Sequence, residues 1–364
     1  MRPLIVDLGR EDRGGQHQAL LLLQGFQERG HAPELIAVRD SLLALRAKEI
    51  GVPVHVVDAK RRRLTAALTI RRLVSERRID LVHANEPHAL SSAWLARAHR
   101  AVPLIVSRRI SLPLSKGCFS LARYHAAARI VAVSHFVEQS VIQSGLSADQ
   151  VSVIYDGVQI PPEISQPQRE SARNQLAIAQ NITCIGNVAA FVPEKGHALL
   201  LEAFAKMRAE FPECILLLRG EGPELTTLKS LARNVNVAGA VKFLSSSTDI
   251  ETMFAAMDVF AFPSHEEPLG SALLAAMAHA LPVVAIARGG IPEAVDHGKN
   301  GLLVNALDPG EFSSAIARLV AHSDEATRLG RAARETAIAR FSANQMVDET
   351  LRLYECLNAA GNRL

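Results

Sequence analysis

The chain has 364 residues, of which 48% are hydrophobic, 21% charged and 4% aromatic. That length exceeds one ordinary core and predicts two domains, while so few aromatics argue against an all-β sandwich and a base-stacking nucleic-acid platform. The net charge of +3 conceals a division: residues 1–160 hold 22 Lys and Arg against 14 Asp and Glu, and the remaining 204 hold 18 against 23, so the first half is expected to meet an anionic partner.

Leu4-Ile5-Val6 reads as a strand within Pro3 to Leu8, so no signal peptide is expected. A polar loop from Gly9 to Gly15 follows, then a helix whose apolar residues Ala19, Leu22, Leu23 and Phe26 recur at helical spacing up to Gly30-His31. Strands at Leu35–Val38, Val54–Val57, Leu81–His83, Leu104–Val106, Ile130–Ser134 and Val151–Ile154 alternate with helices at Arg62–Glu76 and Leu90–Ala98. Near-continuous apolar strands in a β/α alternation mean a parallel sheet covered on both faces. Three prolines in the stretch Ile160 to Pro167 predict an interdomain linker. The second half repeats the pattern with strands at Thr183–Val188, Cys214–Arg219, Val241–Leu244, Val259–Phe262 and Val283–Ile286. Its helices are expected at His197–Ala209, Glu224–Ala232, Ile250–Ala256, Ser271–His279 and Ile291–Val295. The last helix, Gln345 to Leu357, is expected to cross back to the first domain.

Cys118, Cys184, Cys214 and Cys356 form no CxxC pair and read as reduced thiols. His83, His88, His125 and His135 do not fall at metal-ligand spacing, and neither a metal nor a resident cofactor is expected. Apolar runs fall short of the ~18–20 residues of a spanning helix, which predicts a cytoplasmic chain, peripheral at most at the inner face of the cytoplasmic membrane.

Several loops follow a strand and open a helix, where backbone N–H groups can meet an anion or a sugar. Phe262-Pro263-Ser264-His265-Glu266-Glu267 leads to Gly270-Ser271 and an Ala/Leu-rich helix. Gly14-Gly15 reads equally as a ligand approach or a tight turn. Gly220-Glu221-Gly222-Pro223 lacks the third glycine of a dinucleotide fingerprint and reads as a structured, ligand-facing turn with Pro223 at the first helical position. Lys195 could hold a diphosphate as a point charge or be a solvated lysine. Gly289-Gly290 reads as another anion-friendly helix start, and Gly298 to Gly301 as a hairpin-like turn. Arg108-Arg109 could hold an acceptor phosphate or carboxylate, or be a surface pair. Lys60 to Arg63, Arg71-Arg72 and Arg77-Arg78 flank an apolar stripe of Leu64, Ala67, Leu68 and Val74. That helix suits an anionic lipid surface or a solvated basic face.

Together these segments resemble the family 4 glycosyltransferases of the GT-B fold over nearly the whole chain. The resemblance is carried by the strand–Gly-Gly–helix–Arg-Gly-His opening, Ile79 to Ala84, Ile130 to Ser134 and Val153 to Val158. In the second half it is carried by Pro193 to His197, Gly220 to Leu225, Phe262-Pro263-Ser264 with Glu267 and Gly270, Pro282 to Ala285 and Gly289 to Glu293. It implies two doubly wound Rossmann-like domains facing across a cleft. Residues 1–160 would form the acceptor side, 161–344 the donor domain, and 345–364 a helix packing back on the first domain. It implies a hexosyltransferase (EC 2.4) that moves a sugar from a nucleotide-diphosphate sugar to an envelope, lipid-linked or saccharide acceptor, as in lipopolysaccharide biosynthesis. Retention and independence of metal are further implications.

By resemblance, Lys195 holds the donor diphosphate and Glu267 the sugar hydroxyls. Backbone at Gly270, Ser271, Ala272 and Leu273, together with Gly14, Gly15, Gly220 and Gly222, would line the donor. Arg108, Arg109 and His83 are expected on the acceptor side. The family pattern has a second glutamate eight positions after the first, and here that position is Ala275. It also often has an arginine five residues before the lysine, and here that is Ala190. Each loss should weaken donor binding by about 1–3 kcal/mol, with His265 and Arg288 as candidate substitutes. A non-catalytic sugar-nucleotide-binding relative and a GT-B epimerase are the alternative readings; the Glu267 loop disfavours the epimerase.

Overall fold

A computed structural model describes residues 1–10, 14–76, 78–114 and 117–361. Residues 11–13 of the expected Gly9–Gly15 loop, Arg77 and the side chain of Cys118 lie outside the described residues. The chain divides into two compact units: Met1–Gly157 with the chain from Ala343 onward, and Val158–Ser342.

In the first unit, β1 (Pro3–Asp7), β2 (Glu34–Val38), β3 (Val54–Val57), β4 (Leu81–Ala84), β5 (Leu104–Arg108), β6 (Arg129–Ala132) and β7 (Val151–Val153) form a sheet in the order β3-β2-β1-β4-β5-β6-β7. In the second, β8 (Thr183–Val188), β9 (Cys214–Arg219), β10 (Val241–Leu244), β11 (Val259–Phe262), β12 (Val283–Ile286) and β13 (Leu302–Val304) run in the order β10-β9-β8-β11-β12-β13. Every strand pair is parallel. Every residue of β1, β2, β4 and β12 is buried because helices cover both faces, while the edge strands β3 and β10 are largely half-exposed. Strand order reverses beside β1 and β4 in one sheet and beside β8 and β11 in the other. Connections diverge there, which leaves room for a ligand at the carboxyl edge.

The last helix is Ala343–Gly361. Its buried Tyr354 ring lies 5.5 Å from Phe26 on the helix Gly14–Glu28. A Cβ at Gly25 would stand 2.5 Å from Val347 Cγ2, so glycine there lets the two helices approach. Gln18 exchanges two 2.9 Å hydrogen bonds with the backbone of Gly157, which anchors the end of the first sheet's chain.

Three features differ from the expectation. Gly14 and Gly15 lie in the first turn of a helix, not in a loop. The proline-rich stretch runs into a helix, Gln166–Gln175, whose start is a capping box of Ser165 and Gln168 with Pro167 in the first turn. A missing N–H costs nothing at that position. Gly298 to Gly301 makes the expected turn, closed by Gly298 N–H on Gly301 O at 2.8 Å, but the strand it feeds, β13, pairs in parallel with β12 as an edge strand. The helices Leu42–Glu49, Cys118–His125 and His135–Gln143 were also not expected; they are short, and only two or three turns leave a weak period.

Candidate active site

In the second unit, the loops after β8, β11 and β12 converge at the switch point. Lys195 ends a short 3-10 turn, Pro193–Lys195, and its Nζ lies 2.5 Å from Glu267 Oε1. The lysine side chain is 24% exposed and the glutamate 9%, so the pair sits at the floor of the loop cluster. Backbone contacts hold it. The His265 N–H donates to Glu194 O at 2.9 Å, and the Gly290 N–H donates to Glu267 O at 2.8 Å. Two glycines allow this packing. Gly196 has φ +69 and a Cβ there would stand 2.1 Å from Pro263 O; Gly289 has φ +60 and a Cβ would stand 2.2 Å from Glu267 O. Gly289-Gly290 therefore seats the Glu267 loop, and the helix it opens, Ile291–Ala294, is only four residues long.

Gly270 (φ 98) precedes the helix Ser271–Ala278 without a side-chain cap. The first-turn N–H groups of Ser271, Ala272 and Leu273 have no intrahelical acceptor by helix geometry. Ser271 is exposed, Ala272 half-buried, Leu273 buried, and Ala275 half-buried one turn further on. His265 and Arg288 are exposed, and the guanidinium of Arg288 reaches Asn305 O at 3.5 Å.

Gly220 and Gly222 face protein backbone. A Cβ on either would stand 2.0 Å from Ala189 O or 2.3 Å from Phe191 O. Phe191 N–H donates to Glu221 O and Glu224 N–H to Phe191 O, so this turn braces the loop that leads to Lys195. Pro223 lies ahead of the helix, which begins at Leu225 with Glu224 as its cap.

Sequence reasoning assigned no role to three buried polar groups nearby. Among the described residues, neither ring nitrogen of His197, nor Ser264 Oγ, nor Asn187 Oδ1 has a hydrogen-bond partner. Burial, then the Lys195 charge, lowers the His197 imidazole to about 4, and its ring meets Phe191 edge-on at 5.0 Å. The signal for Asn187 was present: an amide near the end of an otherwise apolar strand.

In the first unit a second network spans the β1/β4 switch point. Asp7, the last residue of β1, accepts from Asn85 Nδ2 at 2.7 Å, and the same amide donates to Gly15 O at 2.9 Å. Arg109 Nη1 donates to Asn85 Oδ1 at 2.7 Å and its Nε to Asp156 Oδ1 at 2.8 Å. Asp7, Asn85 and Asp156 were not singled out from sequence, because each is an ordinary polar residue at a strand end. Beside them Glu86 caps the helix Pro87–Leu95, accepting from His88 and Ala89 N–H at 2.6 Å. Burial, with the Asp7 charge adding to it, raises this carboxyl to about 7 against its backbone hydrogen bonds.

Of the acceptor-side expectations, only Arg109 joins this network. Arg108 is buried, with its guanidinium on Tyr124 OH and the Leu112 carbonyl. His83 is buried with Nδ1 on Tyr354 OH at 2.5 Å and Nε2 on Ser107 Oγ at 2.7 Å. Burial, then the charge of Arg109, lowers it to about 3. Both residues tie elements together and offer nothing to an acceptor.

The profile of "Glycosyl transferases group 1" matches residues 168–336, and that of "Glycosyltransferase Family 4" matches residues 13–160. The chain belongs to the family 4 glycosyltransferases. Its two parallel α/β sheets are those of the GT-B fold, and the fold similarity is direct: an Anabaena protein, HepE, solved with UDP and glucose, has a TM-score of 0.82 at 25% identity over 97% of this chain and 99% of that one. A D-inositol 3-phosphate glycosyltransferase of Corynebacterium jeikeium is 34% identical over 53% of this chain and 48% of its own length. The lipopolysaccharide core biosynthesis glycosyltransferase LpsE of Rhizobium meliloti is 34% identical over 50% of this chain and 52% of its own. The chain thus matches about half the length of these two curated relatives. Within this family member, the Lys195–Glu267 pair and the Gly270 helix start occupy the β8/β11 switch point.

Proposed function

We propose that this chain transfers a hexosyl group from a nucleotide-diphosphate sugar to a lipid-linked or saccharide acceptor of the cell envelope, with retention and without a metal. The observation that carries the reading is the Lys195–Glu267 pair at 2.5 Å beside the helix start at Gly270. A cation and first-turn N–H groups suit a leaving diphosphate, and a buried carboxylate suits sugar hydroxyls. In the transfer, the acceptor oxygen bonds the anomeric carbon as the bond to the diphosphate breaks, and the acceptor proton leaves with the diphosphate. Lys195 and the N–H groups of Ser271 to Leu273 offset the charge that develops on the leaving group. The UDP and glucose bound to HepE and the envelope chemistry named for LpsE support the donor and acceptor classes.

A second reading is favoured by Ala190 and Ala275: a relative that binds sugar nucleotides but transfers slowly or not at all. Ala190 is exposed and Ala275 half-buried, and neither methyl can bond a phosphate or a ribose. A panel of UDP-, GDP- and ADP-sugars separates the two, scored by thermal shift and by nucleotide release. The transferase reading expects stabilisation and release with the same donor. Stabilisation without release by any donor would establish the second reading instead.

A further inference from the structure

The ladder between β8 and β11 ends at the pair Gly186 and Phe260, before either strand stops. The strands part there, at the switch point, and Asn187, the next residue of β8, takes over with its side chain. Its Nδ2 donates to Ala261 O at 2.8 Å. That bond fixes which way the buried amide faces, because the reverse orientation would set Oδ1 against a carbonyl. Oδ1 is left as a buried acceptor with no donor among the described residues.

Two more unpartnered groups lie beside it. Ser264 follows β11 by two residues, and its hydroxyl is buried without a partner. His197 opens the helix His197–Arg208 and is buried with both ring nitrogens unpaired. The segments that carry them are pressed together. Gly196, just before His197, packs so closely on Pro263, just before Ser264, that a Cβ would stand 2.1 Å from Pro263 O. Of the five buried side-chain atoms of the second unit that lack a partner among the described residues, four belong to Asn187, His197 and Ser264. The fifth, Arg208 Nε, lies at the far end of that helix.

Folded proteins leave few buried polar atoms unpaired, and four gathered at one sheet edge point to a common partner. The chemistry of the set selects it. Asn187 Oδ1 only accepts, which excludes an anion, and the neighbouring Lys195 charge opposes a cation. The Ser264 hydroxyl both donates and accepts. Burial, then the Lys195 charge, keeps the His197 ring neutral, so it offers one donor and one acceptor. Water, which donates twice and accepts twice, completes such a set, and a buried water usually has about three hydrogen bonds. We propose that Asn187, Ser264 and His197 are positioning residues that bind ordered water between the Lys195 loop and the Glu267 loop. His197 stands two residues after Lys195, and Ser264 three before Glu267. The water joins the two loops beneath the ion pair and sets how far Lys195 and Glu267 stand apart once a donor enters. For its effect on catalysis the inference rests on the proposed donor roles of that pair, though not for the water itself.

A crystal structure of the full chain at a resolution that orders solvent tests the site directly. Density for water is expected within hydrogen-bonding distance of Ser264 Oγ and Asn187 Oδ1, and dry packing there overturns the proposal. A double-mutant cycle tests whether the residues share the link. Ser264→Ala and His197→Phe should each raise the unfolding constant in urea, and the double variant should fall short of the product of the two effects by about threefold or more. Effects that simply multiply overturn the shared link, whatever the enzyme transfers. With a donor that wild type turns over, each single variant should lower kcat about 10- to 100-fold and shift UDP affinity less than about twofold, as expected of misplaced rather than missing groups. His197→Gln, which keeps a donor and an acceptor, should recover most of kcat. Equal losses of kcat and UDP affinity, or no recovery with His197→Gln, mean a merely structural role and also overturn it. Should wild type turn over no donor, the transferase reading fails on its own, while the density and the cycle still decide this proposal. Should His197→Phe misfold by circular dichroism, the density decides alone.

Discussion

Lys195 and Glu267, 72 residues apart in the chain, meet through Nζ and Oε1 at 2.5 Å. The glutamate side chain is the more buried partner, at 9% exposure against 24%. In the proposed transfer, a diphosphate that recruits Lys195 would take from Glu267 its ion-pair partner and leave the carboxylate for the sugar. Lys195→Ala should weaken UDP binding by about 1–3 kcal/mol, the worth of a hydrogen bond to a charged group. Glu267→Ala should lower kcat more than it lowers UDP affinity. Calorimetry with steady-state kinetics measures both, and an equal loss of kcat and affinity in Glu267→Ala would remove that residue from the sugar end.

Gly289 presses on this pair through backbone. With φ +60 and its would-be Cβ 2.2 Å from Glu267 O, Gly289→Ala must move the Glu267 loop. A loss of about 1–3 kcal/mol in stability is expected from the strained backbone, together with a fall in kcat. Gly30, at φ +75 with nothing within 4 Å of its would-be Cβ, is the control. Gly30→Ala should cost about 1 kcal/mol or less and leave kinetics intact. Similar kinetic losses in both variants would show that left-handed strain alone, without contact to Glu267, explains the effect.

Ala275 sits half-buried in the helix that Gly270 opens, where the family pattern places a glutamate. Ala275→Glu should tighten nucleotide binding by about 1–3 kcal/mol if it accepts the ribose hydroxyls. Calorimetry with UDP reads this directly. Unchanged or weaker affinity would place the ribose elsewhere.

Two buried histidines and the half-buried Glu86 contribute to the response to acid. His83 at about 3 and His197 at about 4 refuse protons that the unfolded chain takes up below 6.5. The unfolded state then binds more protons, so stability falls as pH drops from 6.5 toward 4, by up to about 1.4 kcal/mol per unit for each group. Glu86 works the other way. Raised to about 7, it binds its proton earlier in the folded state, so its contribution is full below 4.5 and is lost as pH rises through 7. Between pH 6.5 and 5, His83→Asn should flatten the loss of thermal midpoint on acidification, and Glu86→Gln should steepen it. Identical slopes in wild type and both variants would contradict this assignment.

Much of the fold was legible because its signal is local. Strands such as Val283 to Ile286 are apolar at every position since both faces are covered, and the helix from Gln16 shows its buried stripe at Ala19, Leu22, Leu23 and Phe26. The glycine-rich segments after β8, β9, β11 and β12 marked the carboxyl edge of the second sheet. The helix Gln166–Gln175 was missed because proline content outweighed a capping box, which satisfies the N–H groups that a first-turn proline leaves unaffected.

The sequence by itself determined two parallel α/β units and the chemical types available at their loop edges. Tertiary structure decided which of those residues meet. Strand order, a property of the whole sheet, brings Lys195 to Glu267 and Asp7 to Asn85. It also sends Arg108 and His83 into the interior while Arg109 reaches the network. Gly196, Gly220, Gly222 and Gly289 carry no mark in sequence to distinguish a ligand's approach from a neighbouring backbone's. Glycine permits either, and only the packed loops show which carbonyl lies about 2 Å from a missing Cβ.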